Sequence, residues 1–180
     1  LAPAPPALAE KIRLENRLYG FPERPEPVAP EPVFTEAVRR IGALLPERVR
    51  ALAEERIIGI YLVNGLGGTG YAEAILDTEG RERYAVIVLD RDVLLTRRAN
   101  AWASWKENSF FRPAAGAETA LELILETDAE DTVDNAIVFI LLHELGHALG
   151  MASGVHPSWN GPAEVSDAYP FTALSWRRQG

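Results

Sequence analysis

The chain has 180 residues, 47% of them hydrophobic and 24% charged, which is enough for one domain with a sizeable core. Its 18 basic residues against 26 acidic ones give a net charge of −8, the wrong sign for a nucleic-acid binder, which needs a basic face. It has no cysteine, so disulfides, thiol nucleophiles and cysteine-rich metal sites are excluded. No uninterrupted apolar run approaches the ~18 residues of a membrane span.

Residues 1–33 hold eight of the thirteen prolines. Proline fixes φ and removes a donor, so this arm is expected to be extended or disordered rather than helical. The chain begins at Leu1 and carries Ala7-Leu8-Ala9, the A-x-A arrangement behind which signal peptidase cuts. The two readings are the tail of an export signal, hence a secreted or periplasmic protein, and a Pro/Ala-rich linker.

A compact domain is expected over 34–180. Thr35–Arg56 reads as two helices, with Pro46 in the first turn of the second. Ile57–Val63 reads as a buried strand, followed by the glycine-rich loop Asn64–Gly70. Tyr71–Asp77 is ambiguous between strand and short helix, Thr78-Glu79-Gly80 is a turn, and Tyr84–Asp90 is a second strand. Residues 97–116 carry Trp102, Trp105, Phe110, Phe111 and Pro113 and read as an irregular, aromatic-packed segment. Ala120–Glu126 alternates like a strand, with Leu121, Leu123 and Leu125 on one face. Asp131 is expected to cap a helix reaching about Leu149, with Gly150 at its stop and a loop-rich tail beyond. The expected class is α+β.

Residues 143–150 read HELGHALG. His143 and His147 are four apart and so share a helix face, ~6 Å apart along the axis. Two imidazoles so placed can converge on one Zn²⁺, with Zn–N near ~2.0–2.1 Å. Glu144 points beside the pair, where it can take a proton from an activated water and deliver it to a leaving amine. Val138, Phe139, Leu141, Leu142 and Leu145 make the helix apolar, so polar groups within it need partners. All three histidines of the chain lie between 143 and 156.

HELGHALG resembles the active-site helix of the zincin metallopeptidases over about eight residues. The resemblance implies a zincin-like fold: a twisted mixed sheet, a backing helix, and a cleft whose edge strand binds extended peptide by β-addition beside the zinc. It implies a zinc metallopeptidase acting on a peptide or protein substrate. The segments GIYLVNGLGGTGY and AWASWKENSFFRP also resemble uncharacterised bacterial exported zinc proteases. The chain departs from the metzincin pattern HExxHxxGxxH at its last position, where Ser153 stands. The third ligand is therefore open between His156, Glu164, Asp167 and a residue beyond Gly180. Tyr169 is either an oxyanion stabiliser, as downstream tyrosines are in some zincins, or a packed side chain before Pro170.

Gly65, Gly67 and Gly70 also spell G-x-G-x-x-G after a strand, and Asp90 stands twenty residues on, the pattern of a dinucleotide-binding turn. The alternating βαβ units that such a sheet requires do not follow. The other reading makes Asn64–Gly70 a mobile hairpin or cleft-edge loop, with Tyr71–Asp77 returning as a strand beside Ile57–Val63. A non-catalytic module on a zincin-type fold is the remaining alternative to an enzyme.

Overall fold

The computed structural model describes residues 1–108, 121–157 and 169–175. In chain order its elements are β1 (Ala2–Pro3), α1 (Pro6–Tyr19), β2 (Glu26–Pro27), α2 (Pro32–Leu44), α3 (Glu47–Arg56), β3 (Ile57–Asn64), β4 (Gly70–Leu76), β5 (Glu82–Asp90), α4 (Arg91–Leu94), α5 (Ala99–Asn108), α6 (Val133–Ser153) and α7 (Pro170–Ser175). The fold is α+β, built on a five-stranded mixed sheet.

The sheet order is β1-β3-β5-β4, with β1, β3 and β5 parallel and β4 antiparallel at one edge. The short strand β2 pairs antiparallel with β3 beyond β1. The strand Gly70–Leu76 therefore does not return beside β3 as expected; it pairs with β5, Ala72 opposite Ile87 and Ala74 opposite Ala85. The reason lies in apolarity on both faces. Every β5 residue from Ala85 to Asp90 is buried, so β5 takes the central position, while the partly exposed β4 takes the edge.

Alternation along the strands divides the core in two. Leu62, Ala85, Ile87 and Leu89 face one side, against Phe34, Ala37 and Ile41 of α2, Trp102 of α5, and α6. Val63 and Val88 face the other, against Ala4, Ile12 and Leu66. The second face is covered by α1, which the proline content argued against. Its prolines bracket the helix rather than interrupt it. Pro6 stands at the start, where a missing N–H costs nothing, and Gly20 ends it at φ 80°. Ala7-Leu8-Ala9 lies in the first turns of this helix, with Leu8 packed against the cluster that contains Val63 and Val88.

Two further expectations are corrected. The aromatic segment forms the helix α5 over Ala99–Asn108, burying Ala99, Trp102 and Ala103 at i, i+3 and i+4. Phe110, Phe111 and Pro113 lie outside the described residues. Over 121–126 the chain forms no strand. Its backbone is bonded instead by side chains one helical turn apart on α5. Leu121 N donates to Asn108 Oδ1 at 2.9 Å, Leu123 N to Ser104 Oγ at 2.9 Å, and Leu125 N to Asn100 Oδ1 at 2.7 Å. Polar side chains at i, i+4 and i+8 thus stand in for a neighbouring strand. Asp131 does not cap the helix that follows it. Its carboxylate accepts from Asn100 N at 2.9 Å, near the start of α5, while Thr132 caps α6 by accepting from Asn135 N at 3.1 Å.

The 21 residues of α6 run four past the expected end and stop at Gly154, φ 65°. By length and composition α6 would pass for a membrane span, which no run of consecutive apolar residues had indicated. Here ten of its residues, Ile137 and Leu141 among them, are buried in the domain.

Candidate active site

The middle of α6 carries the H-E-x-x-H residues, and the sheet edge sets their surroundings. His143 Nε2 and His147 Nε2 are 3.0 Å apart, their rings crossing at 83°. Two nitrogens on one tetrahedral zinc stand about 3.3 Å apart, given Zn–N near ~2.05 Å. Both imidazoles are held below their usual pKa. Burial is the main cause, followed by the Lys106 charge for each, with His147 adding to the effect on His143 and His156 to that on His147. Depressed values favour neutral rings, the form that ligates a metal.

Glu144 is 6% exposed. Burial raises its pKa, opposed by Lys106 and by a hydrogen bond that the backbone N–H of Ala72 donates to its carboxylate. Ala72 belongs to β4, so the acid of the motif is tied to the strand that forms the sheet edge among the described residues. A carboxyl whose pKa is raised by burial, held at the wall of a cleft, is suited to take up and release a proton.

That cleft has a volume of about 620 Å³. Its walls are Lys11, Glu15, Asn16 and Tyr19 of α1, residues of the glycine loop and β4, and Glu144, His147 and Met151 of α6. Tyr71 lines it with a buried hydroxyl that has no hydrogen-bond partner among the described residues, and burial pushes its pKa up. Lys11 crosses from α1 to β4, 2.7 Å from Glu73 and 2.8 Å from Glu15.

The candidate third ligand His156 folds back onto α6. Its Nδ1 is 2.9 Å from Pro157 O, a contact in which the ring nitrogen must donate. In a neutral ring that leaves the lone pair on Nε2, the tautomer a metal requires. A Cβ placed on Gly150 would meet this Nε2 at 2.5 Å, so the absence of a side chain there is what admits the ring. Gly150 lies inside the helix rather than at its end, and this close approach accounts for it. The backbone N–H of Phe171 in α7 donates to Val155 O at 2.9 Å, which braces the turn. Among the described residues no three of His, Asp and Glu converge closely enough to hold a metal ion. His143 and His147 are together, and His156 reaches the same helix face beside Gly150. Glu164 and Asp167 lie outside the described residues. Tyr169 opens α7, where its carbonyl accepts from Ala173 N at 2.9 Å.

Sequence reasoning missed Lys106. Its Nζ is 3.4 Å from His143 Nε2 and 5.3 Å from the Trp102 ring centroid. The signal was spacing: Trp102 and Lys106 are four apart, which matters only once 99–108 is a helix.

The glycine loop leads into a strand. Gly70 is the first residue of β4, so no helix N-terminus stands there to receive a pyrophosphate. Gly65 and Gly67 have φ of 71° and 94°. A Cβ on Gly70 would meet Val88 O at 2.9 Å, so close packing on β5 requires it. Asp90, 1% exposed, accepts from Leu66 N at 2.8 Å and Val93 N at 2.9 Å, pinning the loop and capping α4. No family model, curated protein or solved structure matches the chain.

Proposed function

We propose that this chain is a zinc-dependent peptidase of the zincin type, hydrolysing a peptide bond with water. The observation that carries the reading is the juxtaposition in α6: two imidazoles with Nε2 atoms 3.0 Å apart, beside a buried Glu144 bonded to the edge strand. The donor set suits zinc, and the Gly150 cradle brings a third imidazole to the same face. In this reading His143 and His147 hold the ion, and His156 completes the set. Zinc would supply Lewis-acid polarisation of the carbonyl and the attacking water. The chain's own groups do the rest. The β4 edge takes an extended peptide by backbone hydrogen bonds. Glu144 removes the proton from the water as it adds to the carbonyl carbon, then returns it to the amine as the C–N bond breaks. The α1 wall covers the opposite side of the cleft.

The test is elemental analysis joined to a peptide-library screen. About one zinc per chain is expected, lost in His143→Ala and His147→Ala. Glu144→Gln should keep zinc and lose most hydrolysis, because only proton transfer is removed. Stoichiometric zinc in the double histidine variant, or full activity in Glu144→Gln, would refute the reading. One observation favours a second reading, a non-catalytic module on this fold: no three ligands converge among the described residues. Zinc binding without Glu144-dependent hydrolysis would select it.

A further inference from the structure

We infer that Lys106 is a catalytic residue of this site, its ammonium stabilising the negative charge that develops on the substrate carbonyl oxygen. The inference rests on the peptidase reading. Three observations place the group. Its Nζ lies 3.4 Å from His143 Nε2, so it reaches the atoms on which the chemistry centres. The Trp102 ring, 5.3 Å away, gives it a cation–π partner, and Trp102 is itself fixed by an edge contact to Phe139 of α6 at 5.4 Å. The helix that carries it is locked along its length: Asn100, Ser104 and Asn108 bond the 121–126 backbone, and Asp131 holds its first turn. A long flexible side chain is thus delivered from a rigid base, as stabilisation of developing charge requires.

The chemistry balances without further reactants. Water adds to the carbonyl carbon, Glu144 takes the proton, and the carbonyl π pair moves onto oxygen. Lys106 donates a hydrogen bond to that oxygen and keeps its proton throughout. When the C–N bond breaks, the pair returns to the carbonyl and Glu144 protonates the amine. A cation at this place strengthens binding of the charged tetrahedral species over the neutral substrate, so its effect belongs in kcat rather than KM.

The experiment compares Lys106→Met and Lys106→Arg with the parent, all zinc-loaded, with thermal melts to confirm folding. A peptide phosphinate, anionic and tetrahedral at phosphorus, is titrated by calorimetry. Kinetics follow a library peptide that the parent cleaves. Lys106→Met is expected to keep zinc stoichiometry, bind the phosphinate at least tenfold more weakly, and lose about 10²–10³ in kcat with little change in KM. Lys106→Arg should recover part of both. Unchanged phosphinate affinity and kcat in Lys106→Met would overturn the assignment while leaving the peptidase reading intact. So would a rise in zinc affinity with kcat preserved, which would mean that the ammonium only competes with the metal. A parent that binds no zinc, or hydrolyses no peptide, would overturn the peptidase reading and this assignment together.

Discussion

Replacing Gly150 by alanine separates the stability of α6 from the metal affinity of the proposed zinc site. In a helix interior alanine is favoured over glycine by about 0.8–1.0 kcal/mol. For a domain of this size that corresponds to a rise of about 2–4 °C in the Tm of the metal-free protein. The added Cβ would stand 2.5 Å from His156 Nε2 and 2.9 Å from its Cδ2. Ordinary contact needs about 3.5 Å, so the ring must retreat by about 1 Å. The atoms met belong to the end of a side chain on a turn, so the ring moves and the helix stays. A ligand displaced that far from a bond of ~2.0–2.1 Å no longer bonds. The expected result is an unchanged or raised Tm without metal, with zinc affinity at least tenfold weaker. Competition against a chromophoric chelator measures the affinity, and differential scanning calorimetry the Tm. Parental zinc affinity in a folded Gly150→Ala protein would refute His156 as a ligand and direct the search to Glu164, Asp167 or a residue beyond Gly180. A lowered Tm would instead show that the contact cannot relax as argued.

Three further outcomes follow from particular contacts. Asn100→Ala removes two acceptor bonds, from Leu125 N at 2.7 Å and Glu126 N at 2.9 Å, and one donor bond to Glu126 O at 3.0 Å. At about 1 kcal/mol net each it should destabilise by about 2–3 kcal/mol in urea titration, and a loss under 0.5 kcal/mol would count against the ladder. Asp77 is held below its usual 3.8 by the backbone N–H and then the guanidinium of Arg81, and by Glu79 N. A depressed carboxylate contributes stability above its unfolded value and loses it as pH falls through the folded one. Asp77→Asn should therefore melt below the parent at neutral pH and approach it below pH 3.8; a constant gap would contradict this. Calorimetric titration with NAD(P) should show no binding, since the glycine loop leads into a strand; micromolar binding lost on Gly67→Val would restore the dinucleotide reading.

What the sequence made legible was local. The pair α2–α3 follows from helix formers around Pro46, and β3 and β5 from two β-branched runs, because propensity and period act within a few residues. HELGHALG brings His143, Glu144 and His147 of the candidate site together on one helix by spacing alone. The arm failed for a different reason. Its eight prolines were counted together, yet 7–19 contains none, and a helix needs only that stretch free. The segment 120–126 failed because alternation predicts an extended backbone, not its partner. The partners here are side chains on α5, and side-chain hydrogen bonding leaves no period in the segment it satisfies. The position of β4 failed because pairing order depends on which strand can be buried on both faces, a property of the whole sheet.

The site divides along the same line. His143, Glu144 and His147 share one helix, so their relation is set by 3.6 residues per turn. His156 and Lys106 come from outside it, by a turn and by a second helix. Their placement depends on Gly150, which yields space, and on the α5 ladder, which supplies rigidity. Both devices lie where sequence reading expects something else: a helix stop at Gly150, and an irregular segment over 97–116, where Asn100 and Asn108 stand in the helix α5. Each is explained by what it touches. Gly150 lies under the His156 ring. Asn108, two residues beyond Lys106, bonds the Leu121 backbone at both its amide and its carbonyl. The cation that this ladder positions bears on all three residues of the motif, His143, Glu144 and His147. The helix sets the spacing of the motif residues by its own period, while the long-range contacts set the charge that surrounds them.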